Sequence, residues 1–495
     1  MTHAHSTHSM KLSELLSGMA KVSIDDDMII TGLSEFSGDV THGDVYLATT
    51  TLNYCPEAVA NGASVIVYDA KLAPSLEKNN HNIPMIACDQ LIQKVRELSV
   101  TLYGRISEEI KTIAITGTDG KSSVAHLSTQ AIENCGNACG MIGTLGYGRL
   151  SSLREATHTT PPISRIAKEY SLFASIGCRT VAIEASSHGI EQHRLKDVPI
   201  HTAVFTNISR DHLDYHNTVE EYIQAKAKLF FDHQPKYVVI NMDDEVGQKW
   251  LGELSKSKNV LTFSLHNNSA DIYTQSISYV RDGIELEVSM RSKLIKLFVP
   301  IYGEFNVLNI LAVCAILVSL EKTNDEIILS LKKLTAVPGR MQLAASNGDV
   351  NIFVDYAHTP AALLAAINAV RKHNTGKLIC VFGCGGNRDK GKRSLMGEVA
   401  TEHADVVIIT SDNPRNEDPQ KIIDEILQGS KKENNPESII DRKEAISLAL
   451  RLAEGNDSVL IAGKGHEKYQ EIANKKYPFD DVEIVQQEIA RLANG

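Results

Sequence analysis

Apolar residues follow two rhythms along this chain. The first is the continuous run. "KTIAIT", "TVAIE", "HTAVF", "KYVVIN", "NIFVD", "KLICVF", "DVVIIT" and "SVLIA" are rich in β-branched residues and have no polar face. Such runs read as strands covered on both sides of a parallel sheet. Helical patterns alternate with them, which predicts βα units. The second rhythm is alternation. Residues 271–301, "DIYTQSISYVRDGIELEVSMRSKLIKLFVPI", alternate around Asp282-Gly283 and predict antiparallel hairpins beside the parallel sheet. Residues 1–107 carry shorter runs ("GDVYLATT", "GASVIVYD") and close on the amphipathic stretch "DQLIQKVRELSVTLYGRI". The βα alternation restarts after "TAVPGRMQ", which puts a boundary near residue 337, at Pro338-Gly339. The expected fold class is α/β, in segments 1–107, 108–336 and 337–495.

Composition narrows this picture little. A chain of 495 residues exceeds one domain, and 43% hydrophobic with 22% charged residues is ordinary globular composition. A net charge of −11 without a long basic run disfavours a nucleic-acid surface. No apolar stretch reaches membrane-spanning length, and "MTHAHSTHSMKLSELL" lacks a signal peptide's apolar core. No membrane insertion and a cytoplasmic location are therefore expected. His3, His5 and His8 read as a frayed tail. The close cysteine pairs, Cys135/Cys139 and Cys380/Cys384, lack CxxC spacing, so the eight cysteines read as reduced thiols.

The chemistry lies where the strands stop. "IAITGTDGKSS" (113–123) is a strand, a glycine-containing turn and a helix start. Gly117 and Gly120 let backbone N–H groups of Thr118, Asp119 and their neighbours turn inward on phosphate oxygens, and the helix start adds more donors. Lys121 is placed to reach the β/γ-phosphates of a nucleotide, and Ser122 to offer a hydroxyl to Mg²⁺. Further strand ends carry Glu184, Ser186 and His188, then Asn207, Arg210, Asp211 and His212, with His216 just beyond. In a parallel sheet these share one rim with the phosphate loop, where carboxylate and imidazole can ligate Mg²⁺. Each histidine taken alone reads as structural. The helix "EYIQAKAKLFFDH" brings Lys226 and Lys228.

"TGTDGKSS", "EASSHGIEQHR", "FTNISRDHLDYH", "AKAKLF", "YGEFNVLN", "PGRMQ", "VDYAHTP", "FGCGGNRDKGKR", "SDNPR" and "AGKGHEKYQ" occur in an order that resembles the Mur ligases of peptidoglycan synthesis, over about residues 20 to 490. The likeness is strongest to the member that adds the third residue of the stem peptide. It implies three domains: one for the UDP end of the substrate, a central P-loop ATPase with the antiparallel appendage, and a C-terminal Rossmann-like domain. It implies a monomer that uses ATP and Mg²⁺ to join UDP-MurNAc-L-Ala-D-Glu to a diamino acid through an acyl phosphate. Catalysis would be mainly positioning and charge neutralisation. Carried over by position, the resemblance assigns ATP to Gly117, Thr118, Asp119, Gly120, Lys121, Ser122, Ser123, Asn306, Asn309, Arg340 and the stretch Asp355–His358. Glu184 and His212 match a second Mg²⁺ site. Lys226 matches a lysine that is carbamylated, while Lys228 reads as solvated. Thr159, Thr160, Ser186, Gln192 and Arg194 match positions that hold the muramoyl-dipeptide, and Ser37 matches the uridine side. The chain departs from the pattern at Asp119, where Asn is usual, at Ser122-Ser123 for Thr-Thr, and in "SEFSGDV".

Diaminopimelate differs from lysine by one distal carboxylate. Arg415 suits it, since a planar guanidinium pairs bidentately with a carboxylate. The resemblance joins Asp412, Asn413 and Pro414, as the diaminopimelate form of the turn, to Arg388, Gly463 and Glu467. Asp412 or Asn413 binds the ammonium or holds the turn in shape. The alternatives are a lysine-adding member and a folylpolyglutamate synthase-like ligase. A paralogue without catalysis stays open through Asp119. A GTPase switch lacks its guanine-reading motif. A dehydrogenase lacks GxGxxG spacing in "GCGGNRDKGKR".

Overall fold

The computed structural model describes residues 8–78, 82–209, 211, 213–256, 259–431, 434 and 436–493. It divides into two compact units, residues 1–262 with 315–321, and residues 263–314 with 322–495.

The first unit holds a two-stranded pair, Met10–Lys11 with Ile29–Ile30, and two larger sheets. The smaller is parallel throughout, in the order Gly32–Ser34, Asp44–Ala48, Val65–Asp69, Met85–Cys88. Helix Leu91–Tyr103 covers it with Leu91, Val95, Leu98 and Leu102, a stripe at helical spacing. In the larger sheet, strand Lys111–Thr116 lies between Thr180–Glu184 and Ile200–Phe205, parallel to both. Cys139–Gly143 and Tyr237–Asn241 extend it in parallel on either side. The all-apolar runs are buried nearly end to end, as their composition predicts.

The second unit contains the predicted hairpins, Ile272–Val280, Gly283–Met290 and Lys293–Val299, all antiparallel. Val280 pairs with Gly283, which puts the turn at Arg281-Asp282. Gly283 has φ +152°, and a Cβ there would meet the Val299 carbonyl at 2.3 Å. The main sheet runs in the order 342–347, 350–355, 458–462, 378–382, 406–410, 437–439. Only the edge strand Gln342–Asn347 is antiparallel. The polar turns after 350–355, 378–382, 406–410 and 458–462 therefore share one rim.

The compact division differs from the boundaries expected at 107 and 336, and packing explains why. Ala167 of helix Ile163–Ser175 sits in the core of the small N-terminal sheet. Glu35 accepts from Ser164 N at 3.2 Å, and Asp39 accepts from Thr157 Oγ1 at 3.1 Å. The N-terminal segment is thus welded to the phosphate-loop segment. The hairpins, in turn, bond into the C-terminal segment, where His373 Nδ1 meets Val280 O at 2.9 Å and Tyr302 packs on Phe353.

Candidate functional site

The phosphate loop has the expected form. Gly117 (φ +149°) and Gly120 (φ +83°) take backbone shapes that favour glycine, and helix Lys121–Asn134 starts after Gly120. A Cβ on Gly117 would fall 1.9 Å from Thr206 Oγ1, so the loop has no room for a side chain there. The next strand end pins it: Thr118 N donates to Asn207 O at 2.9 Å, Asp119 N to Asn207 Oδ1 at 2.9 Å, and Thr206 Oγ1 to Asp119 O at 2.6 Å. Asp119 itself is exposed, so its departure from Asn puts a charge in solvent rather than inside the loop. Lys121 Nζ donates to the loop carbonyls of Gly117 (3.0 Å) and Thr118 (2.7 Å).

Glu184 organises the rim beside the loop. Its buried carboxylate accepts from Ser122 Oγ at 2.9 Å and Thr144 N at 2.8 Å. Gly143 makes this possible, since a Cβ there would lie 2.2 Å from Glu184 Oε1. Thr144 Oγ1 continues to Thr159 Oγ1 at 3.0 Å. Thr160 Oγ1 donates to Glu184 O at 2.7 Å and accepts from Ser186 N, and Arg194 donates to Thr160 O and to Gln192 Oε1. Thr159, Thr160, Ser186, Gln192 and Arg194 are thus one connected network running from Glu184. His188 stacks near Tyr215 and His216.

Lys226 is a strongly perturbed group in this unit. It is 1% exposed, and Nζ donates to Gly117 O at 2.8 Å over the Tyr222 ring. Burial first, then the Lys121 charge, push its amine well below the ordinary lysine range, against Asp211 and Asp119. Lys228, expected to be solvated, pairs with Glu191 at 2.8 Å, because two residues on from Lys226 it lies on another face of its helix, towards helix Ser187–Glu191. His212 and Arg210 lie outside the described residues. Ser37, assigned to uridine, is buried and donates to Glu57 Oε2 at 2.6 Å, while its neighbour Phe36 packs edge-on against His158.

In the second unit, Asn306 and Asn309 are buried in helix Glu304–Ser319 and bond to Tyr302 O (2.7 Å) and to each other (2.9 Å). The Arg340 guanidinium lies over the Tyr356 ring at 4.7 Å. Asp355 accepts from Met341 N and Ala357 N.

The turn "SDNPR" leaves the buried strand Val406–Thr410. Asp412 is buried against Gly463, where a Cβ would come within 2.6 Å of Asp412 Oδ2, and burial raises its carboxyl. Asn413 Oδ1 accepts from Lys464 Nζ (3.2 Å) and Glu471 N (2.9 Å), and its Nδ2 donates to Glu467 Oε2 (2.7 Å). Its amide therefore holds the turn in shape. Arg415 sits at φ +51°, with Nη1 donating to Gly386 O at 2.8 Å. Gly385 lies between two arginines: a Cβ there would be 3.0 Å from Arg415 Nη1 and 3.8 Å from Arg388 Cγ. The Arg415 guanidinium and the stem of Arg388 thus meet at one glycine-lined corner, and a guanidinium there suits a carboxylate. Arg393, fully buried, anchors that glycine loop to Gly385 O and Glu417.

The family models for the Mur ligase middle domain and the Mur ligase glutamate ligase domain match residues 115–317 and 339–465. A UDP-N-acetylmuramoyl-L-alanyl-D-glutamate–2,6-diaminopimelate ligase from Coxiella burnetii is 39% identical over 482 residues, covering 95% of this chain and 98% of that protein. The chain belongs to the Mur ligase family. A ligase of the same name from Alkalilimnicola ehrlichii is also 39% identical, over 97% of this chain and 98% of its own. The solved structure of another such diaminopimelate ligase superposes with TM-score 0.66 at 33% identity, covering 98% of this chain and 99% of that one. A folylpolyglutamate synthase from Mycobacterium tuberculosis shares the fold at TM-score 0.61 and 16% identity. As a Mur ligase, the chain is an ATP-dependent, amide-forming enzyme. Among the described residues no helix is long and apolar enough to cross a membrane. Thr144, Lys464 and Glu471 escaped the sequence reading. Lys464 had a signal, a lysine between two glycines at the end of an apolar strand.

Proposed function

We propose that this ligase adds meso-diaminopimelate to UDP-MurNAc-L-Ala-D-Glu, as a cytoplasmic monomer, in peptidoglycan precursor synthesis. The observation that carries this reading is the corner where Arg388 and Arg415 flank Gly385, with Asp412, Asn413, Pro414, Gly463 and Glu467 around it. The diaminopimelate-ligase activity of relatives near 39% identity points the same way. We assign residues 1–107 to the UDP end, 108–336 to ATP and 337–495 to the acceptor. Each segment contributes its own sheet.

The chemistry follows from the groups. A carboxylate is a poor electrophile, so it first takes the γ-phosphoryl group of ATP, releasing ADP. The amine then attacks the acyl carbon, and phosphate leaves. The loop 117–123 cradles the phosphates, Lys121 neutralises their charge, and Asn306, Asn309, Arg340 and the stretch from Asp355 serve the nucleotide side. Thr159, Thr160, Ser186, Gln192 and Arg194 hold the muramoyl-dipeptide, and Ser37 serves the uridine end. Ser122 and Glu184, 2.9 Å apart, are hard oxygen donors that fit Mg²⁺. Ser122 and Glu184 would hold Mg²⁺ there together with His212, the residue the family resemblance adds. Bound there, Mg²⁺ neutralises phosphate charge. Burial lowers the proton affinity of Lys226, and a neutral amine is the form that would take up carbon dioxide, losing a proton to become a carbamate anion.

ADP release with UDP-MurNAc-L-Ala-D-Glu, comparing meso-diaminopimelate with L-lysine, tests the reading. Turnover with diaminopimelate at least about a hundredfold above lysine, some 2.7 kcal/mol of discrimination, is expected from a fixed guanidinium. Equal rates with the two acceptors would refute it.

A further inference from the structure

The short antiparallel pair Tyr469–Ile472 and Lys475–Pro478 follows the last strand of the main sheet, and it frames the acceptor turn from one side. Gln470 Nε2 donates to Asp412 O at 2.7 Å, and Glu471 N donates to Asn413 Oδ1 at 2.9 Å. Arg415 N donates to Glu471 O at 2.9 Å, and Ala473 N donates to Arg415 O at 2.7 Å. These bonds hold Arg415 in the left-handed region, φ +51°, which a non-glycine residue keeps only when its surroundings over-determine it.

One contact in this frame belongs to a side chain with no other evident task. Glu471 Oε2 accepts from Arg415 Nε at 3.1 Å, while Gly386 O accepts from Nη1 at 2.8 Å. The guanidinium has five N–H donors in a rigid plane, so two bonds to two different segments fix that plane and leave three donors for a ligand. Both side chains are partly exposed, at 21% and 25%, and such a pair adds little to folding stability. Its effect falls on where the fork points.

We propose that Glu471 is a positioning residue that aims Arg415 at the distal carboxylate of the acceptor. The proposal rests on the acceptor reading above. The backbone bonds of residue 471 survive substitution of its side chain, so the frame and the aim are separable by mutation. Glutamine keeps an acceptor oxygen for Nε and removes the charge.

In the full-length enzyme, Glu471→Ala raises KM for meso-diaminopimelate about tenfold, a loss of some 1.4 kcal/mol of binding. KM for ATP does not move, and Glu471→Gln restores most of the loss. A Glu471→Ala enzyme whose diaminopimelate KM is unchanged or lower overturns the proposal, as does failure of glutamine to rescue. Wild-type enzyme equally active on L-lysine overturns the acceptor reading itself, and the proposal with it. Selective wild type with an unmoved Glu471→Ala overturns only the proposal.

Discussion

At the scale of single residues, Lys226 carries the clearest physical demand. Its lowered pKa means that the unfolded chain binds a proton the folded chain does not, from the folded value up to the ordinary 10.5. Stability therefore rises with pH across that window, and burial of this amine weakens the fold most at its lower end. In carbonate-free buffer, Lys226→Met is expected to raise the melting temperature at pH 7.5, with a gain that shrinks by pH 10, while abolishing ligation. Scanning fluorimetry at both pH values checks the sign. Lys226 was singled out from the sequence because the helix stretch that carries it resembles the Mur ligases. Glu471 was not, because its meaning arises from Arg415, 56 positions away along the chain. Lys228 shows the same limit, since its partner Glu191 lies 37 positions back.

Among elements, the loops that meet at the acceptor rim are joined by charge. Glu417 takes Arg393 and the Asn387 backbone N–H, and these contacts, with the Arg393 side chain foremost, pull its carboxyl down to about 2. Its ordinary value is 4.5, so its contribution is complete above that pH and is lost as pH falls towards 2. Glu417→Gln should unfold more easily than wild type in urea at pH 7, and the two should converge by pH 2. Curves that stay apart at pH 2 would remove this carboxylate from the account. Buried parallel strands were legible because their runs are apolar on both faces. The pair 469–478 was not: "YQEI" and "KKYP" carry polar and charged residues whose strand character comes from pairing with each other.

For the molecule as a whole, the two compact units give unfolding a structure of its own. Residues 1–262 hold the phosphate loop and the network from Glu184 to Arg194, whereas the acceptor corner belongs to the other unit. Calorimetry is expected to resolve two transitions. UDP-MurNAc-L-Ala-D-Glu at a hundred times its Kd should stabilise the unit that binds it by about 2.7 kcal/mol and raise that transition first. One transition, displaced as a block, would contradict the division. Fold class and motif order were readable from the sequence. The compact division was not, because it depends on contacts such as Glu35 to Ser164 that no local pattern announces.

The frame around Arg415 separates inheritance from choice. Much of the shape at this corner is kept by main-chain bonds, which any residue type but proline can make. The side chains of 469–478 other than Gln470 are left to vary without unravelling it. Laboratory selection for a new acceptor should therefore gather its substitutions in this hairpin rather than in "SDNPR", and a library confined to those ten positions is where altered substrate taste is expected to appear first.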